Sequence, residues 1–431
     1  MHRWATDLFP ICRSLTGNGV RETLAYIGRI VPELTVHEVP SGTPAFDWTV
    51  PEEWNIRRAY IEDESGNRIV DFANSNLHVL GYSTPVDEWM TLAELQPHLH
   101  SLPEQPDAVP YVTSYYARRW GFCLAHSVRE KLSDGRYHVL IDSTLEPGSL
   151  TYGEVLLPGT GEREILLSTY ICHPSLANNE LSGPVVTAAL ARWIAALPER
   201  RYSYRILFAP ETSGSIVYIS RHLEELRRKT DAGYVLTCIG DDRAYSLLRS
   251  RHGDTLADRA AKLVLRRHAP DHVDYSYLDR GSDERQYCSP GVDLPVASIM
   301  RTRYQSYPEY HTSLDDLSLV TPSGLGGGFS VVQQVLKLLE GNRVYRAVHP
   351  CEPQLGKRGL YPTLSTRGAG NTVRSMTNLL AYADGTKDLV EIAEVVGLSA
   401  DEALETASKL LKAGLILDLP HDRANQTDAP S

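Results

Sequence analysis

The sequence predicts an α/β fold: a layered α/β domain with a mostly parallel sheet, a β-rich insertion and a C-terminal winged helix-turn-helix. Three observations carry this. Over 161–341, apolar strands alternate with amphipathic helical stretches, as βα units closing on a parallel sheet do. Over 45–147 long helical patterns vanish, and short β-rich runs alternate with polar turns. Beyond a Pro/Gly/Ser-rich linker at 350–370, three short amphipathic segments precede the apolar run Leu415-Ile416-Leu417. The domains read as 1–44 with 148–350, the insertion 45–147, and a winged-helix-like module 354–431.

Taken in order, Ala5, Leu8, Phe9 and Cys12 share a helical face, and Leu24, Ile27 and Ile30 another after the Thr16-Gly17-Asn18-Gly19 break. In the insertion, Arg68-Ile69-Val70-Asp71 and Tyr137-His138-Val139-Leu140-Ile141 read as strands, Glu64-Ser65-Gly66-Asn67 as a turn, and Pro103, Pro106 and Pro110 as loop markers. Strands follow at 165–170, 204–209, 234–239 and 296–300, with helices at 185–197, 216–226, 256–267 and 329–339. Gly324-Leu325-Gly326-Gly327-Gly328 has no strand before it, so it reads as a flexible lead-in to the last helix and not a dinucleotide loop. Ser399 ahead of Asp401 and Glu402 reads as an N-cap.

Composition narrows the function. Lys plus Arg number 43 against 54 Asp plus Glu, and a formal charge of −11 is the wrong sign for a whole-protein nucleic-acid binder. With 42% hydrophobic and 23% charged residues the chain is an ordinary globular one, which excludes disorder. No window offers a membrane helix, and Asp7 comes too early for a signal peptide, so we expect a cytoplasmic protein without membrane contact. Six cysteines stand singly, without a Cys-x-x-Cys pair, and read as buried thiols.

The chemistry collects where parallel strands end, the edge at which open α/β sheets bind ligands. One strand runs into His173, the next into Glu211, the third into Asp241-Asp242, and the strand at 296–300 into a tyrosine-rich loop with His311. Each residue alone has an ordinary reading as loop histidine, N-cap, ion-paired turn or surface residue. Their recurrence at four exits points to a divalent ion, and imidazole and carboxylate without thiolate suit catalytic zinc. The sequence has no His-Glu-x-x-His, no Gly-x-Ser-x-Gly and no Walker-type loop.

His173, the run Ala177-Asn178-Asn179-Glu180-Leu181-Ser182-Gly183, Glu211 near Gly214-Ser215, Asp241, Ser282-Asp283 and Tyr310-His311-Thr312 resemble the successive motifs of co-catalytic zinc aminopeptidases. The chain as a whole resembles a bacterial family of aminopeptidase-like proteins with a β-rich inserted domain and a C-terminal winged helix. That resemblance implies a zinc-dependent, metalloprotease-type amide hydrolase that removes an N-terminal aminoacyl group from a peptide or small aminoacylated metabolite. Two departures matter. The family's metal-bridging aspartate is Asn179 here, a weaker bridge because it is neutral, and Pro210-Glu211 leaves one glutamate where the motif has two. We therefore expect one zinc ion and not two, held by His173, His311 and a carboxylate from Glu180 or Asp241. Glu211 would be the base and Tyr310 an oxyanion donor, with Tyr304 and Tyr307 beside the substrate and Asp283 or Glu284 receiving its ammonium.

Alternatives from other classes remain at this stage. Acyl transfer or cyclisation could run on the same fold, or the chain could be a catalytically inactive sensor or scaffold acting through its winged helix. That module carries eight Lys/Arg against ten Asp/Glu, and the helix that would enter a groove opens on Asp401, Glu402 and Glu405, which repel phosphate. Nucleic acid is therefore disfavoured as a partner, and packing, partner binding or a homo-oligomer fits the module better.

Overall fold

The computed structural model describes residues 1–115, 117–361 and 369–419. The chain divides into two units, Met1–Ala257 with Val273–Phe329, and Asp258–His272 with everything from Ser330 onward. No helix among the described residues is long and apolar enough to cross a membrane.

The first unit is built on a mixed eight-stranded sheet. Its strands along the chain are β1 (Thr35–Pro40), β2 (Ser149–Leu157), β3 (Glu164–Tyr170), β4 (Ser203–Ala209), β5 (Thr230–Leu236), β6 (Ser246–Leu248), β7 (Val273–Tyr275) and β8 (Val296–Met300). Their spatial order is β1-β2-β4-β3-β5-β8-β6-β7. The central four, β4, β3, β5 and β8, run parallel. Ile165-Leu166-Leu167 and Ile206-Leu207-Phe208 are fully buried, as strands covered on both faces must be. The sheet is parallel at its centre and antiparallel at its flanks, where β2 meets β4 and β6 meets β8.

The flank also explains how the insertion is tolerated. β1 and β2 are antiparallel neighbours, with Pro40 opposite Ser149, so the chain leaves and rejoins the sheet side by side. Between them lies a four-stranded antiparallel sheet in the order Arg68–Asp71, Glu53–Asp63, Arg136–Glu146, Val86–Thr91. Tyr137, Val139 and Ile141 point inward at a period of two and meet Trp54, Ala59, Ile61 and Val70 in a separate core. Glu53 pins this sheet to the first domain. It takes two hydrogen bonds from Arg21 of the Asn18–Ile30 helix, at 2.8 and 2.7 Å, and one from the Ser149 backbone N–H at 3.0 Å.

One expectation is corrected. The glycine run is no flexible lead-in, because the helix begins at Pro322 and spans Pro322–Gly341. The glycines are there for contact: a Cβ on Gly324 would lie 2.0 Å from the Gly240 carbonyl oxygen, and one on Gly328 would lie 2.5 Å from Ile239. The helix thereby lies against the loop that carries Asp241.

In the second unit, the helices Ala369–Tyr382, Leu389–Val396 and Ala400–Lys412 accompany a three-stranded sheet in the order Asp384–Asp388, Val344–Ala347, Ile416–Leu419. Val344–Ala347 lies before the 354 boundary read from the sequence, and it is the central strand of this sheet. Ser399 caps its helix as expected, in a reciprocal arrangement with Glu402. Residues 362–368 of the linker and 420–431 of the module lie outside the described residues.

Two predictions follow from this packing. Gly324→Ala should cost about 1–3 kcal/mol through overpacking, read by chemical denaturation. Arg21 holds the Glu53 carboxyl down to about 2 from 4.5. A depressed folded-state pKa means stabilisation that is complete above about 4.5 and lost as pH falls towards 2. Glu53→Gln should therefore be about 1–2 kcal/mol less stable than wild type at pH 7, and the two should converge near pH 2.

Candidate functional site

Because β3, β4, β5 and β8 run parallel, their exits share one edge of the sheet, and His173, Glu211, Asp241 and His311 follow them in turn. The two imidazoles converge, with ring centroids 5.5 Å apart. Glu211 Oε2 lies 3.7 Å from His173 Nε2. Tyr310 stacks on His311 at 3.9 Å, and Tyr111, from the insertion, lies 5.1 Å from each imidazole. Thr212, Cys238 and His311 have φ of 62, 45 and 58°, a strained region for non-glycine residues, so three of the four exits carry backbone strain.

Behind His173 runs a buried charge chain. Arg13, 1% exposed, donates from Nε to the His173 carbonyl at 2.9 Å and from Nη1 to the Leu8 carbonyl at 2.9 Å. Its Nε is also 3.3 Å from Glu180 Oε1, and Glu180 Oε2 is 2.8 Å from His173 Nδ1. Glu180 thus backs the imidazole and leaves Nε2 turned towards Glu211. A carboxylate behind a histidine in this way fixes its tautomer and ring orientation.

Glu180 and Asn179 sit on a wide π-helical turn, Ala177–Leu181, that leads into the Ser182–Ala195 helix. Asp315, from the His311 loop, caps the turn, accepting from the backbone N–H groups of Asn178 at 2.6 Å and Asn179 at 2.9 Å. Asn179 donates to the Tyr170 hydroxyl at 2.7 Å.

Burial dominates the electrostatics. It presses His173 and His311 down to about 3, so both are neutral lone-pair donors, and it lifts Glu180 to about 8 against the pull of Arg13. Burial and then the neighbouring Asp283 charge raise Glu211.

The residues present fit a divalent cation. His311 Nε2 and Asn179 Oδ1 are buried without a hydrogen-bond partner, the kind of orphaned atom a ligand would satisfy. Two imidazoles on one tetrahedral zinc put their ring centres roughly 5 Å apart, close to the observed spacing. A tighter grouping of Cys172, His173 and Glu180 also exists, but it is the poorer site. Glu180 occupies His173 Nδ1, burial holds the Cys172 thiol well above its usual range, and the Arg13 cation lies alongside.

Other expected site residues are brought to the same region but engaged elsewhere. Asp241 accepts from Arg243 N, Thr302 N, Thr302 Oγ1 and Asn178 Nδ2. Glu284 accepts from Gly281 N, Ser282 N, Tyr304 Oη and Ser298 Oγ, which occupies both Glu284 and Tyr304. Asp283 accepts from Thr212 N and Ser215 Oγ, and Tyr307 donates to Asp315. Three participants were missed in the sequence: Arg13, Tyr111 and Asp315. Only Asp315 had a signal, its place in the run Tyr310-His311-Thr312-Ser313-Leu314-Asp315.

Residues 2–342 match the family described as a domain of unknown function (DUF4910). The chain belongs to that family. In this DUF4910 protein a winged helix-turn-helix follows, matched over residues 343–418. It is 44% identical over 415 residues to a Clostridium acetobutylicum protein named as a candidate polysaccharide-biosynthesis protein with an aminopeptidase-like domain, covering 95% of this chain and 94% of that one. A crystal structure of a candidate peptidase from Clostridium acetobutylicum superposes with a TM-score of 0.92 at 42% identity, over 97% of this chain and 96% of that one. A zinc aminopeptidase from Bacillus subtilis has a TM-score of 0.55 at 12% identity, over 78% of this chain and 94% of that one. The fold is aminopeptidase-like, with a C-terminal winged helix.

Arg13→Met would leave the buried Leu8 and His173 carbonyls without their donor and should cost about 2–4 kcal/mol in urea unfolding. Glu180, already raised to about 8, stays protonated without Arg13, so adding Glu180→Gln should change that loss little.

Proposed function

We propose that the protein is a metal-dependent amide hydrolase, with one zinc ion on His173 and His311 and Glu211 as the group that moves protons. The carrying observation is the pair of neutral imidazoles, His173 buried and His311 half-buried, 5.5 Å apart beside a partly buried carboxylate. Asn179 supports one ion over two, since an amide brings no charge to hold a second cation. Glu180 acts here through His173 and Arg13, as a backing group and not as a direct ligand. When bound, the ion supplies Lewis-acid polarisation of the amide carbonyl and makes water more acidic. Glu211 accepts a proton from the attacking water and delivers it to the leaving nitrogen. Tyr310, whose phenol burial keeps neutral, donates to the developing oxyanion. Tyr111 and Tyr170 wall the site, their rings 5.1 and 5.2 Å from His173.

The peptidase fold supports peptide substrates, and the Clostridium relative's name supports testing N-acylated amino sugars beside them. Six free thiols support a cytoplasmic setting. In the Ala400–Lys412 helix, Asp401 and Glu402 occupy the first turn, which supports packing or partner binding over DNA reading.

Metal analysis of protein purified without chelator tests the reading. We expect about one zinc per chain, lost in His311→Ala. Glu211→Gln should keep the zinc and lose about 10²–10⁴-fold in turnover. Two zinc ions would restore the co-catalytic scheme. No metal after reconstitution would overturn the hydrolase and leave a sensor or scaffold.

A further inference from the structure

An enzyme that recognises a free N-terminus needs an acid for the substrate's ammonium. The acids around the two imidazoles are spoken for: Glu180 by Arg13 and His173, Asp241 and Glu284 by four protein donors each, and Asp315 by two backbone amides and Tyr307. Asp283 is buried and accepts from Thr212 and Ser215, and Glu309 pairs with Arg243. Among the described residues Glu211 is left, and the reaction uses it.

A hydrogen-bonding group with an open valence at this site is a cation. Arg285, on the short helix Glu284–Tyr287, donates from Nη2 to Thr212 Oγ1 at 2.6 Å, the residue next to Glu211. Its Nε is buried without a partner, and among the described residues the guanidinium forms no ion pair. Its contact with Thr212 sets it beside Glu211, and its charge counters the upward shifts of Glu211, Asp283 and Tyr310 alike. A guanidinium is a fork that matches a carboxylate in two hydrogen bonds.

We propose that Arg285 receives a carboxylate of the substrate, and that the substrate class is N-acyl α-amino acids, whose carboxylate lies on the carbon attached to the leaving nitrogen. This rests on the amide-hydrolase reading and names its substrate. The placement is consistent, because Glu211 must reach the leaving nitrogen and Arg285 sits one residue's contact away from it. In the step, the oxygen of water bonds to the acyl carbon and the amide C–N bond breaks. Both protons of water end on the nitrogen, so a carboxylate and an amino acid are released.

Binding separates this proposal from the hydrolase reading. The full chain, with and without added zinc, would be titrated with N-acetyl-L-alanine, N-acetyl-L-leucine and N-acetyl-L-glutamate, with their carboxamides, and with L-leucinamide. We expect at least one acid to bind wild type about tenfold or more tighter than its carboxamide, the worth of one charge-assisted contact. The preference should vanish in Arg285→Gln and return in part in Arg285→Lys, with zinc content unchanged in both. Equal binding of acids and carboxamides, tighter binding of L-leucinamide, an undiminished preference in Arg285→Gln, or no binding of any acid at millimolar concentration would each overturn it. If acids bind through Arg285 and no hydrolysis follows, the carboxylate site stands and the hydrolase reading falls.

Discussion

The site depends on one buried carboxylate. Asp315, fully buried, accepts from the amides of Asn178 and Asn179, while its own carbonyl accepts from Ala177 N–H at 2.8 Å. The acid belongs to the loop after β8 and the amides to the turn after β3. This clamp ties the loop that carries His311 to the turn that follows His173. Burial lifts Asp315 to about 6 and the amides pull it back. It also places negative charge at the start of the Ser182–Ala195 helix, where the unsatisfied N–H groups and the helix dipole favour an anion.

Around that clamp, moving an acid by one residue changes what it does. At position 179 the side chain is an amide, which donates to the Tyr170 hydroxyl and leaves Oδ1 buried without a partner. At 180 the carboxylate turns to His173 Nδ1 and to Arg13. Burying Arg13 is expensive unless its donors are met, and the carbonyls of His173 and Leu8 meet them together with Glu180. The N-terminal segment thereby helps to hold the His173 imidazole in place.

How much of this could be read in the sequence follows from what makes a signal local. The central strands were legible because strands buried on both faces must be continuously apolar, and His173, Glu211, Asp241 and His311 because reactive residues recur where such strands end. Arg13 was not legible, since nothing near it distinguishes a buried arginine from a surface one, and its partner lies 160 residues away. Glu284 looked free to bind substrate because Tyr304, Ser298 and two backbone amides reach it only in the folded chain. The glycine run misled for a related reason: its cause is the Gly240 carbonyl, far off in sequence.

The insertion is likewise part of the site and not an ornament on it. Pro110 forms a β-bridge with Thr312, Tyr111 N–H donates to the His311 carbonyl at 2.8 Å, and Ser313 N–H donates to the Val109 carbonyl at 2.8 Å. Gln105 adds a hydrogen bond to the Pro308 carbonyl at 2.9 Å. These contacts flank His311, whose φ is positive, a conformation that costs about 1–3 kcal/mol and persists only where the surroundings fix it. The strained conformation is held by the bridge and the hydrogen bonds on either side of it, so the insertion fixes His311 in place and sets Tyr111 against both imidazoles.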